Sequence, residues 1–262
     1  MRVVEIARSI LKKNSTLALG LRERFAKQRT YVFNLLSSPG AGKTTLLEAT
    51  LRELNRRYAV AALVGDQATD NDAVRLHRSG VPVKQITTGG ECRLDAIMIE
   101  QALEGWEPAT LDVLAIENVG NLICPAEYDL GEDLRVVLFS VTEGEDKPLK
   151  YPLAFNTADV VLITKTDLSL ATDFDEVAAR QAIDRVHPGV PIIEVSARSG
   201  DGCDGWIEFL TARIDAKRFP LAATLNEHSH PHMHSHAHAD GPEHEHVHDH
   251  PHGHDHPHDH MH

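Results

Sequence analysis

Short runs of consecutive apolar residues recur through the middle of the chain, separated by longer stretches where apolar positions return every third or fourth residue. The first pattern predicts strands at 31–36, 59–64, 83–87, 111–116, 134–141, 159–163 and 191–195. Most are apolar on both faces, as parallel strands sandwiched between helices are. The second pattern predicts helices near 43–57, 70–79, 93–104, 151–157, 173–186 and 203–216. This alternation reads as a doubly wound, mostly parallel α/β domain over residues 31–217, with ligands at the carboxyl ends of its strands. Residues 1–30 form a helical preface in which Ile6, Ile10, Leu11, Leu17, Leu21 and Phe25 recur at roughly helical spacing. Residues 218–262 have neither period and are expected to be a disordered tail.

Between the first strand and the first helix of the domain lies Ser37-Ser38-Pro39-Gly40-Ala41-Gly42-Lys43-Thr44. Strand, glycine-bearing loop, Lys-Thr and helix together are the phosphate-binding loop of P-loop NTPases. Gly40 and Gly42 let the N–H groups of the loop turn inward around phosphate oxygens, and the helix N-terminus adds its partial positive charge. Lys43 is placed to reach the β and γ phosphates. The Thr44 hydroxyl is a ligand for Mg²⁺, and Ala41 and Thr45 complete the cradle. Ser37 stands where the general pattern opens with Gly.

Three later elements narrow the base and the reaction. Thr164-Lys165-Thr166-Asp167 follows a buried strand, and a strand-end [Asn/Thr]-Lys-x-Asp reads guanine. The Asp167 carboxylate can accept from the ring N1–H and the exocyclic amine together, and the Lys165 stem can lie across the base. Ser196 and Ala197 follow the last strand and suit the loop whose backbone meets the guanine oxygen. Glu117, three residues ahead of Gly120, suits a γ-phosphate sensor: the acid reaches Mg²⁺ through water and the glycine N–H meets the phosphate. Asp66 is a second strand-end acid, for Mg²⁺ or for orienting the attacking water; its alternative is a helix N-cap. Lys43, Asp66 and Glu117 are therefore the catalytic candidates, and Thr44, Asp66 and Glu117 the Mg²⁺ candidates.

Composition adds exclusions. A net charge of −13 argues against nucleic-acid binding. No apolar stretch is long enough to span a membrane and no secretory leader is visible, so a cytoplasmic protein with no membrane partner is expected. In that compartment Cys92, Cys124 and Cys203 are expected to be thiols, ligands or core fillers rather than disulfides. The tail holds His228, His230, His232, His234, His236, His238, His244, His246, His248, His250, His252, His254, His256, His258, His260 and His262, mixed with acids, Pro and Gly. Neutral imidazoles bind Ni²⁺ and Zn²⁺ well, and the tail reads as a native metal-binding segment rather than an expression tag.

With these residues in place, the chain resembles the hydrogenase nickel-incorporation (HypB-type) GTPases, relatives of the dimerising signal-recognition and nitrogenase-iron P-loop proteins. The resemblance runs over most of residues 5–215 and is carried by the blocks 34–45, 65–73, 117–125 and 140–152. It implies slow GTP hydrolysis and a GTP-promoted homodimer. It also implies delivery of Ni²⁺ to the hydrogenase large-subunit precursor, together with a small zinc-binding maturation partner. It further implies a Ni²⁺ or Zn²⁺ site at the dimer interface, formed by a Cys-His pair and a Cys before Pro. Cys92 and Cys124 match those cysteines, but Arg93 stands where the family has His, and a guanidinium cannot ligate a metal. A urease-type nickel accessory GTPase is the nearer alternative, and a nickel or zinc storage protein with a regulatory nucleotide domain the more distant one.

Overall fold

The computed structural model describes residues 2–66, 71–106 and 111–220. Its centre is a seven-stranded sheet: β1 (Tyr31–Ser37), β2 (Val60–Asp66), β3 (Val83–Thr87), β4 (Val113–Glu117), β5 (Leu134–Ser140), β6 (Val160–Thr164) and β7 (Ile192–Val195). The spatial order is β3-β2-β4-β1-β5-β6-β7, and every pairing is parallel. All seven predicted strands are present, most displaced toward the carboxyl end by one or two residues. The added last residues carry polar side chains (Ser37, Asp66, Glu117, Thr164), which apolar runs do not register.

Helices cover both faces. The helix after the first loop, α2 (Lys43–Leu54), packs on one face with the carboxyl-terminal α9 (Cys203–Arg218), around Phe33, Leu35, Leu47, Val136, Leu162 and Trp206. The other face carries α1 (Arg2–Gln28) and α4 (Ala96–Ala102) over β1, β2 and β4. Toward β5 and β6 it is covered by α6 (Pro152–Asn156) and α8 (Glu176–Val186). Between these lie the short α3 (Asn71–Leu76), α5 (Lys147–Lys150) and α7 (Ser169–Thr172). The predicted helices 70–79, 93–104 and 151–157 are each shorter or broken. Gly80 ends the first at positive φ, the Asp95 carboxylate caps the start of α4 by accepting from Met98 N–H, and Pro152 restarts a helix after Lys150.

The preface is a single long helix whose inner line is Asn14, Ala18, Leu21 and Phe25. Ile10, expected on that line, is 49% exposed. Asn14 takes the inward place because it joins two elements. Its amide donates to the Asp129 carbonyl at 2.9 Å, and its Oδ1 accepts from Ala96 N–H, at the start of α4, at 2.8 Å. The tail after residue 220, with its sixteen histidines, lies outside the described residues, as do positions 67–70 of the block behind Asp66 and the side chain of Ile6.

Candidate functional site

Chain order moves from β1 to one side of the sheet and then to the other, and this reversal opens a crevice beyond the carboxyl end of β1. Two adjoining cavities occupy it. One, of about 560 Å³, is lined by Gly40, Gly42, Lys43, Thr44, Asp66, Asp72, Arg75, Glu117 and Gly120 among others. The second, of about 380 Å³, is lined by Ala41, Thr164, Lys165, Asp167, Ser196 and Ala197 among others. Gly42, Thr45 and Lys165 line both. The structure thus brings every nucleotide-site residue expected from sequence into one continuous crevice, phosphate motifs at one end and guanine motifs at the other.

At the phosphate end, Lys43 is only 8% exposed and its Nζ donates to Ser37 Oγ at 2.9 Å. Ser37 therefore holds the lysine where the general pattern has only a glycine, and its own hydroxyl donates to Ser38 O. Burial pushes the Lys43 ammonium below its ordinary value, and the charges of Glu117, Asp72 and Glu143 push it back up. The Thr44 hydroxyl lies between two carboxylates, 2.8 Å from Glu117 Oε1 and 3.1 Å from Asp72 Oδ1. Glu117 is 2% exposed, its Oε2 has no partner, and burial drives its carboxyl up to about 7. Asp66 stands at the end of β2 on the wall of the same cavity, and its carbonyl accepts from Thr88 N–H.

Asp72 and Arg75 line the same cavity, and the sequence reading did not single them out. They sit three apart on α3, hence on one face of it, and the acid lies inside the block 65–73 that carried the resemblance.

At the base end, Thr164 Oγ1 donates to Ala41 O at 2.8 Å and Lys165 Nζ to Gly40 O at 2.6 Å, fastening the β6 loop to the phosphate loop. Lys165 adopts a left-handed backbone (φ 60°), which carries its stem along the boundary of the two cavities. The Ser196 hydroxyl donates to Asp167 Oδ1 at 2.6 Å and orients the carboxylate that sequence assigned to guanine.

The loop after β4 links this site to the cysteines. Gly120 packs on Pro39 so closely that a Cβ there would lie 3.3 Å from Pro39 Cα. Asn118 Oδ1 accepts from both Val119 N–H and Leu94 N–H, at 3.0 and 3.1 Å, and Asn121 Nδ2 donates to Cys92 O at 3.4 Å. Cys92 and Cys124, expected as free thiols or ligands, are instead joined to each other as a disulfide. The fold causes this: β3 and β4 flank β2, and the loops leaving them meet above its end. A disulfide sulfur is not a thiolate and does not ligate, so any metal role belongs to the reduced pair. Arg93 turns away, its guanidinium 3.8 Å from the Tyr128 ring centre and 2.7 Å from Glu91 Oε2. Cys203 is a half-buried free thiol and His187 contacts Phe155 O; neither faces a metal cluster. Among the described residues no group of three or more His, Cys, Asp and Glu could hold a metal alone, and no helix is long and apolar enough to cross a membrane.

The family model for the CobW/HypB/UreG nucleotide-binding domain matches residues 31–194. The hydrogenase maturation factor HypB of Azotobacter chroococcum mcd 1 is 49% identical over 225 residues, 83% of this chain and 74% of that protein. A Helicobacter pylori protein named hydrogenase/urease maturation factor HypB is 40% identical over 211 residues, 79% of this chain and 86% of that one. The crystal structure of HypB from Helicobacter pylori in complex with nickel superposes with a TM-score of 0.72 at 41% identity, covering 79% of this chain and 95% of the other. Crevice, motifs and likeness agree, and the chain belongs to the CobW/HypB/UreG nucleotide-binding family, on its HypB branch.

Proposed function

We propose that the protein is a GTP-hydrolysing nickel metallochaperone that delivers Ni²⁺ to, or gates its insertion into, the large-subunit precursor of a [NiFe] hydrogenase. The observation that carries the hydrolytic half is the buried Glu117 carboxyl beside Thr44, with one oxygen unpartnered at the wall of the phosphate cavity. An orphaned buried carboxylate oxygen next to a Thr hydroxyl and a second acid, Asp72, fits Mg²⁺, which takes one or two carboxylates and leaves its other positions to phosphate and water. Thr44, Glu117 and Asp72 would hold the ion, which would supply charge neutralisation to the reacting phosphates. Lys43 neutralises the β/γ side, the Gly120 N–H meets the γ-phosphate, and Asp66 orients the attacking water. Asp167, held by Ser196, selects guanine over adenine. Turnover is slow, because positioning and charge neutralisation are all these residues supply.

Nickel is cargo. Reduced Cys92 and Cys124 are the domain's metal ligands, and two such pairs from a GTP-promoted homodimer supply a four-sulfur set for Ni²⁺ or Zn²⁺. Asn118 and Asn121 support a coupling between nucleotide and metal, since the loop that senses the γ-phosphate also holds the Leu94 and Cys92 backbone. The histidine tail loads metal near the domain, and a small zinc-binding maturation protein is the partner at transfer. The hydrogenase/urease name of the Helicobacter relative favours urease as a second client. Storage by the tail is the remaining alternative.

The direct test is Mg²⁺-dependent GTP hydrolysis by the purified protein, with Lys43→Ala expected to lower it roughly 100-fold by removing transition-state charge stabilisation. A matching loss of hydrogenase nickel in cells carrying the variant supports the chaperone role. Hydrolysis unaffected by the substitution would sink the reading. Rescue of urease but not hydrogenase in a deletion strain would reassign the client. A truncation at residue 225 that fails at every nickel level would point to storage.

A further inference from the structure

The P-loop lysine serves the outer end of a nucleotide, and nothing so far assigns a cation to its inner phosphate. Arg75 lines the same cavity as that lysine. Its Nη2 donates to Thr45 Oγ1 at 2.8 Å. Thr45 lines both cavities, so it marks the junction where a guanine nucleotide passes from base and ribose to phosphates. Lys43 is held elsewhere, against Ser37. The other cation at the junction, Lys165, is committed to Gly40 O.

Arg75 is also available. Its contact with Glu48 is long, 3.6 Å, and Glu48 already has Arg52 at 2.9 Å. The side chain is 43% exposed on the cavity wall, and a guanidinium has five donors in a rigid fork suited to phosphate. The described charged side chains lining that cavity are Lys43, Arg75 and Lys165 against Asp66, Asp72 and Glu117.

We propose that Arg75 is a nucleotide-binding residue that grips the α-phosphate of GTP and GDP from within the same chain, swinging from Thr45 Oγ1 onto the phosphate oxygens. This rests on the guanine-nucleotide reading above and adds a contact to it. An α-phosphate is present in GTP and GDP alike, so Arg75 sets affinity for both and does not sense hydrolysis.

The experiment measures affinities of the full-length protein for a fluorescent GDP and for a non-hydrolysable GTP analogue with Mg²⁺, together with melting temperatures with and without GDP. Arg75→Ala is expected to weaken both nucleotides by the same factor, roughly 10-fold for a lost charge-assisted contact, with Arg75→Lys regaining part of it. The nucleotide-free melting temperature should hold, while the rise on adding GDP shrinks. Three results overturn the proposal: unchanged affinity in Arg75→Ala, a loss confined to the GTP analogue, or a lower nucleotide-free melting temperature that accounts for the whole loss. A wild-type protein that binds neither nucleotide would bring down the guanine reading itself, and Arg75 with it. Wild-type binding that Arg75→Ala leaves intact brings down Arg75 alone.

Discussion

Glu117 accepts from the Thr44 hydroxyl through Oε1, leaves Oε2 without a partner, and titrates at about 7 instead of 4.5 because burial disfavours its anion. A carboxyl raised in the folded state binds protons the unfolded chain has already released. The stability this contributes is complete below pH 4.5 and is lost as pH rises through about 7. By pH 8 ionised Glu117 costs the nucleotide-free fold on the order of 3 kcal/mol. In Glu117→Gln, which cannot ionise, the melting temperature of the nucleotide-free protein should therefore gain on wild type between pH 5 and pH 8. The same variant should lose the Mg²⁺ dependence of nucleotide binding. A stability difference that stays flat across that range would mean the carboxyl is not buried as described. The proposed Mg²⁺ ligand is thus a residue that weakens the fold at high pH.

At the scale of elements, the base loop depends on how β7 joins α9. Gly202 precedes the helix at φ 70°, and a Cβ on it would fall 1.9 Å from Glu194 O, inside the strand's own backbone. Two bonds close the same turn, Ser196 N–H to Asp201 O at 2.9 Å and Gly200 N–H to Ser196 O at 2.8 Å. Gly202→Ala should thus cost about 1–3 kcal/mol from the positive φ alone, and more from the collision. Because Ser196 orients Asp167, the damage should also appear as weaker guanine-nucleotide binding. Denaturant unfolding and GDP titration of the variant check both effects. A second junction lies across the sheet, where Asn14 of α1 ties Ala96 to Asp129 and so braces the segments around both cysteine loops.

For the whole molecule, the phosphate crevice and the Cys92–Cys124 pair sit at the ends of neighbouring strands, joined by the 118–121 loop. Reduction should release two thiols and create nickel binding in the domain. With residues 1–225 kept reduced, Ni²⁺ affinity should differ between GDP and the GTP analogue, and Cys92→Ala should abolish that difference. Equal affinities in both nucleotide states would leave nickel chemistry to the tail and confine the GTPase to docking. Tail binding should weaken as its histidines protonate near pH ~6.5.

Much of this architecture was legible along the chain because it is written in local periods. A doubly apolar run becomes a buried parallel strand wherever it falls, and Gly40-Ala41-Gly42-Lys43-Thr44 makes the same turn in any strand–helix setting. The positions of Asp167 and Glu117 on the crevice wall were readable for the same reason, since one follows its strand closely and the other ends its strand. Asp72 and Arg75 were not, because only the folding of α3 back over α2 brings them to Thr44 and Thr45. Nor was the pairing of Cys92 with Cys124, 32 residues apart: that distance closes only when β3 and β4 take their places on either side of β2. Local pattern determines which elements form and which motifs end them. Which side chains meet is decided by the order of the strands, because contacts across the sheet depend on neighbours that have no fixed separation in sequence.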